Sequence, residues 1–180
     1  SSPFYNNSRV NVEYCEDIFV GYRYFETIPG AAEKVLFPFG YGLSYTTFDC
    51  KYGFSVTENT VTVKAKVKNT GSIAGKEVIQ LYSTSPKGKL DKPSKELRAF
   101  AKTELLSPGK SQTITLSFKT EQMASYDEER AAYILESGKY IIFAGNDVRS
   151  ASEIGTVELE ETVVKKLKNR CVPHKLSKRM

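Results

Sequence analysis

The sequence predicts an all-β sandwich flanked by an aromatic N-terminal arm and a basic C-terminal tail. Three observations predict it. Thr60–Lys68 alternates strictly, with Val61, Val63, Ala65 and Val67 on one face and Thr60, Thr62, Lys64, Lys66 and Lys68 on the other. Such alternation marks a strand with one face on a core and one in water. Strand-like runs recur every ten to twenty residues from about residue 50, with turn signals between them and no helical period.

The elements follow in order. Asn69-Thr70-Gly71 ends the first alternating strand. Glu77–Ser83 carries Val78, Ile79, Leu81 and Tyr82, apolar on both faces as a central strand is. Lys95–Leu105 reads as the next strand, followed by a turn at Ser107-Pro108-Gly109-Lys110. There Pro sets φ at the second turn position and Gly accepts the positive φ of the third, the requirement of a type II turn. Thr113–Phe118 alternates again with Ile114, Leu116 and Phe118 inward; Tyr140–Ala144 and Thr156–Glu160 complete the series. Residues 1–49 differ. Ile18-Phe19-Val20 with Tyr22, Tyr24 and Phe25 reads as one short strand-like run, and Thr27–Lys34 as a loop of small residues. Then comes LFPFGYGLSYTTF, residues 36–48, with five aromatics and no charge. Pro38, Gly40 and Gly42 exclude a regular strand or helix there. An arm this short has no core of its own, so its aromatics need cover from the sandwich or from a neighbouring domain.

Charge is unevenly placed. The chain of 180 residues has a net charge of +5. After Glu161 there are no acids, and Lys165, Lys166, Lys168, Arg170, Lys175, Lys178 and Arg179 make the tail basic. Residues 1–164 hold 19 basic and 21 acidic residues. The tail has no aromatic for base stacking, and Leu167, Val172 and Leu176 suit docking on protein, so no nucleic-acid partner is expected. No apolar run approaches the ~20 residues that span a bilayer, so no membrane partner is expected. Cys15, Cys50 and Cys171 are far apart, without a CxxC pair and with one His in the chain, so neither a metal site nor a cofactor is indicated. Dispersed thiols of odd number fit a reducing compartment, and a cytoplasmic location is the expectation. Asn6-Asn7-Ser8 fits a glycosylation pattern that matters only in a secreted eukaryotic protein. SSPFYNNSRV lacks the basic start and apolar stretch of a secretory leader, and polar residues lead straight into strand-like sequence, as in a piece of a longer chain.

Candidate catalytic groups do not assemble on paper. Asp127-Glu128-Glu129 and Glu16-Asp17 are sequence neighbours whose side chains diverge, whereas a catalytic carboxylate pair must face one substrate from two sides. His174 has no Ser or Cys beside it in a nucleophile motif. GYG at 40–42 is followed by no Lys-Ser/Thr and is not a phosphate loop.

EDIFVGYRYFE (16–26) followed by LFPFGYGLSYTTF (36–48) strongly resembles a stretch of glycoside hydrolase family 3, the family of many β-glucosidases and β-xylosidases. In that family it lies where the α/β-sandwich domain ends and a fibronectin type III-like, immunoglobulin-like domain begins. KVKNTGSIAGKEVIQLYST (66–84), KELRAFAKTELLSPGKSQTITLSF (95–118) and ESGKYIIFAGND (136–147) resemble successive parts of the latter. LKNRCVPHKLSKRM (167–180) is similar to a passage of members in which the barrel follows these domains.

The resemblance implies three parts: the end of the preceding domain with an inter-domain linker over 1–49, the fibronectin-like sandwich over 50–161, and a basic connector over 162–180. Family members are retaining enzymes that use two carboxylates. Neither carboxylate motif matches a position here, so no catalytic, substrate-binding or metal residue is carried over. The implied work is non-catalytic: buttressing the α/β-sandwich and (β/α)8 barrel of an enzyme acting on oligo- or aryl-glycosides. Tyr22, Tyr24, Phe37, Phe39, Tyr41, Tyr45 and Phe48 are the implied inter-domain docking residues; packing is favoured over a sugar-stacking platform because Tyr supplies area and a polar tip at a junction. In the chain alone the patch is to be hidden by folding back, by pairing of the 18–25 run with a sheet edge, or by self-association. The alternative from another class is an independent carbohydrate-binding or adhesion module.

Overall fold

The alternating runs become ten strands in a computed structural model that describes residues 16–168. They are β1 (Phe48–Thr57), β2 (Thr60–Asn69), β3 (Val78–Thr84), β4 (Glu96–Lys102), β5 (Ser111–Lys119), β6 (Ser125–Asp127), β7 (Ala132–Leu135), β8 (Gly138–Gly145), β9 (Ser152–Leu159) and β10 (Thr162–Lys166). One sheet has the order β1-β2-β5, the facing sheet β4-β3-β8-β9, and a small third sheet β10-β7-β6. All the pairings are antiparallel.

The core forms where the inward rows meet. Val61, Val63, Ala65 and Val67 of β2 and Leu116 and Phe118 of β5 face Ile79 and Leu81 of β3 and Tyr140, Ile142 and Ala144 of β8. All the residues expected inside are buried, save Ile114, which is half-buried. The turn at 107–110 closes as expected: Lys110 N–H donates to Ser107 O at 3.0 Å, and Gly109 has φ 75°. Tyr140 is wholly buried, and its hydroxyl donates to the Glu136 carbonyl at 2.9 Å, which meets the requirement of a buried phenol for a partner. Strand pairing runs from Phe48 to Lys166, slightly past the expected 50–161 on both sides, because Thr162–Lys166 pairs with β7.

The 18–25 run is not a strand and pairs with no sheet edge. Tyr22–Thr27 is instead a six-residue helix, α1. Gly21, with φ 59°, breaks the extension just before it. A helix this short has no stability of its own and is held by packing. It lies on the outer face of the β4-β3-β8-β9 sheet, which explains why β3 is apolar on both faces. Ile79 and Leu81 enter the main core, while Tyr82 enters a second cluster with Val148 and Ala151, covered by Tyr22, Leu97 and Phe143. Cys15, Cys171, His174, Val172, Leu176 and Asn6-Asn7-Ser8 lie outside the described residues.

Candidate docking surface

The arm is fastened to the sandwich at many points. The Tyr22 ring stacks on Phe39 with centroids 4.4 Å apart and meets Tyr82 edge-on at 6.4 Å. Its hydroxyl accepts the Leu97 N–H at 2.9 Å. Leu97 belongs to β4, an edge strand, so α1 occupies a donor that a free edge would offer to another chain. Ser94 N–H donates to Thr27 Oγ1 at 2.9 Å and Ser94 Oγ to the Glu26 carbonyl at 2.7 Å. Arg149 pairs with Glu26 at 2.8 Å and donates to the Ala32 carbonyl at 3.0 Å. Val148 N–H donates to the Phe39 carbonyl at 3.0 Å. Lys95 lies over the Phe143 ring at 4.5 Å and donates to the Val148 carbonyl at 2.9 Å. Burial pushes its ammonium below the ordinary value, with Glu26 and Asp147 opposing.

The loop that presents Ser94 has its own anchor. Lys92 and Glu136 form an ion pair whose side chains are only 8% and 10% exposed, and Lys89 N–H donates to the same carboxylate at 2.7 Å. Burial raises the Glu136 carboxyl, but the Lys92 and Lys89 hydrogen bonds outweigh it and hold the group below its ordinary value.

Gly40 explains the centre of the aromatic segment. Its φ is 86°, and a Cβ there would overlap the Gln80 side-chain amide. Tyr41 N–H closes the turn onto the Pro38 carbonyl at 2.9 Å. The turn separates Phe39, stacked on Tyr22, from Tyr41, which pairs with Phe37 at 5.2 Å on the outside.

The seven aromatics therefore divide. Tyr22 is half-buried against the sandwich, and Phe48 opens β1 and packs on the main core. Tyr24 is half-buried, edge-on to Phe25 at 5.3 Å. Phe39 lies between, 42% exposed. Phe37, Tyr41 and Tyr45 are exposed, Tyr45 at 94%. The structure adds Leu36 and Leu43, each 89% exposed, which sequence reasoning passed over because it weighed only the rings. A groove of about 260 Å3 lined by Gly21, Tyr22, Phe25, Glu26, Val35, Phe37 and Phe39 meets the exposed side chains at Phe37. Exposed apolar side chains gathered in one short segment mark an interaction surface.

The described residues bring together no pair of carboxylates around a cleft. Asp127 accepts the Glu129 and Arg130 N–H groups at 2.9 and 3.1 Å and pairs with Arg130 at 3.4 Å, a turn-forming role. A pocket of about 210 Å3 at the sandwich edge holds Cys50, Tyr52 and Glu77. Burial raises all three above their ordinary values. Among the described residues no group of His, Cys, Asp and Glu could hold a metal ion. No helix there is long and apolar enough to cross a membrane.

Residues 77–148 match the fibronectin type III-like domain family. The chain is 48% identical to β-glucosidase A of Butyrivibrio fibrisolvens, over 94% of its own length and 23% of that protein's. It is 44% identical to a β-glucosidase of Ruminococcus albus, over 100% of its length and 19% of that protein's. The crystal structure of a Paenibacillus barengoltzii β-glucosidase superposes with a TM-score of 0.91 at 42% identity, covering 97% of this chain and 20% of the other. The chain belongs with the fibronectin type III-like domains of glycoside hydrolase family 3 β-glucosidases. It spans about a fifth of the length of the curated relatives it matches. The segment that carries the arm falls inside the region matched in these two relatives.

Proposed function

We propose that the chain is the non-catalytic buttress of a retaining β-glucosidase-type hydrolase that releases terminal β-linked sugars from oligosaccharides or aryl glycosides. Its partners are the α/β-sandwich and (β/α)8 barrel of the same enzyme. The observation that carries this is the exposed row Leu36, Phe37, Tyr41, Leu43 and Tyr45, projected from an arm that is itself bolted down. A rigid apolar ridge loses little conformational entropy on docking.

The test is a full-length enzyme carrying Leu36→Ser and Leu43→Ser. Both side chains are 89% exposed here, so their loss leaves the sandwich intact. The expected result is faster heat inactivation and lower kcat/KM, with the pH profile of the chemistry unchanged. Wild-type heat resistance and activity in that variant would remove the docking reading.

A further inference from the structure

A second surface of the molecule has no part in docking through the arm. The outward row of β2 presents Lys64, Lys66 and Lys68, and β1 adds Lys51 directly opposite Lys66. Side chains of one face repeat every ~6.6–6.8 Å along a strand and stand ~4.5–5.5 Å apart across it. Four ammonium groups are thus gathered on one exposed face. Like charges directly opposed across a ladder destabilise a sheet. Among the described residues none of the four lysines enters an ion pair. Asp49, opposite Lys68, is the one carboxylate on β1, β2 and β5. The clustering runs against the rest of the chain, since residues 1–164 hold 19 basic and 21 acidic residues.

We propose that this face binds an acidic polysaccharide, a hydroxyl-rich chain bearing carboxylates. The ammonium groups supply the complementary charge. Thr113 and Thr115 of β5, opposite Lys66 and Lys64, supply hydroxyls for the sugar hydroxyls. Other polyanions fit less well. The outward rows hold no aromatic or Arg, the groups on which single-stranded nucleic acid stacks. They hold no large apolar side chain to enter a bilayer or to form the buried centre of a protein interface. This reading stands apart from the hydrolase reading, because it rests on different residues and on the chain by itself.

The test is affinity electrophoresis of the 180-residue chain in gels containing polygalacturonate, with neutral β-glucan gels as the blank. Lys64→Gln with Lys66→Gln is expected to weaken retardation about tenfold without lowering the thermal midpoint, since both side chains are exposed and the opposition of Lys66 to Lys51 is relieved. Lys175→Gln with Lys178→Gln makes the same charge change in the tail and is expected to stay within about twofold of the parent. Salt of about 1 M, where the Debye length is ~3 Å, is expected to abolish binding. Absence of retardation, equal retardation in neutral glucan, or a larger loss from the tail pair would each overturn the proposal. So would tighter binding to single-stranded DNA or to anionic phosphatidylserine vesicles.

Discussion

Replacing Tyr22 tests whether the arm is part of the folded unit. The ring is half-buried between Phe39 and Tyr82, at centroid distances of 4.4 and 6.4 Å. Truncating a fully buried aromatic costs ~3–5 kcal/mol, and this ring is about half covered, so Tyr22→Ala should cost about 2 kcal/mol. Tyr22→Phe keeps the ring and removes only the acceptor of the Leu97 N–H, worth about 1 kcal/mol. Urea unfolding of the chain measures both. Hydrogen exchange adds a local reading: the Leu97 amide should exchange faster in both variants, while those of Val63 and Ile142 follow global stability. If Tyr22→Ala shifts stability by less than about 0.5 kcal/mol, the usual size for a surface site, the arm is not bound to the sandwich as described.

Three further outcomes follow. Val63→Asp places an unpaired carboxylate in a wholly buried site and should abolish cooperative unfolding, whereas Lys64→Glu one residue away should change stability by less than about 0.5 kcal/mol; equal effects in a thermal melt would show the register is wrong. Gly40→Ala should cost about 1–3 kcal/mol, because φ is 86° and the new Cβ meets Gln80, and it should loosen the arm by limited proteolysis more than it shifts the sandwich. Glu136→Gln leaves Lys92 buried without its counter-charge and should cost about 3 kcal/mol at neutral pH. The Glu136 carboxyl lies below its ordinary value when folded, so its contribution is present above the unfolded value and fades as pH falls through the folded one. Urea midpoints of parent and variant should therefore converge in acid, and a constant gap from neutral to acid pH would contradict the ion pair.

β2 and β5 were legible because period-two alternation is a local signal with one physical cause, a half-buried sheet, whereas β1, as long as β2, was not singled out. The 60–68 run and the turn at 107–110 needed nothing beyond themselves. The helix α1 was not legible, because YRYFET has the aromatic content of a strand and forms a single turn and a half under tertiary contact. β6, β7 and β10 were missed because three, four and five residues are too few to show a period. The aromatic segment was visible as an anomaly of composition. Which of its side chains turn inward was not, since that depends on the positive φ of Gly40 and on what Gln80 leaves room for. The apolar outer face of β3 was the one clue in the sandwich that something covers it, and the arm is what does.

The most direct measurement is oxidative side-chain footprinting of residues 36–45 in two states, the chain alone and the full-length enzyme. In the chain alone Phe37, Tyr41 and Tyr45 should label strongly, being 68%, 45% and 94% exposed, with wholly buried Tyr82 as the unlabelled floor. In the full-length enzyme these three residues, with Leu36 and Leu43, should fall close to that floor. Equal labelling in both states would show that the strip faces solvent in the assembled enzyme, and that the arm does not join the fibronectin-like sandwich to its neighbours.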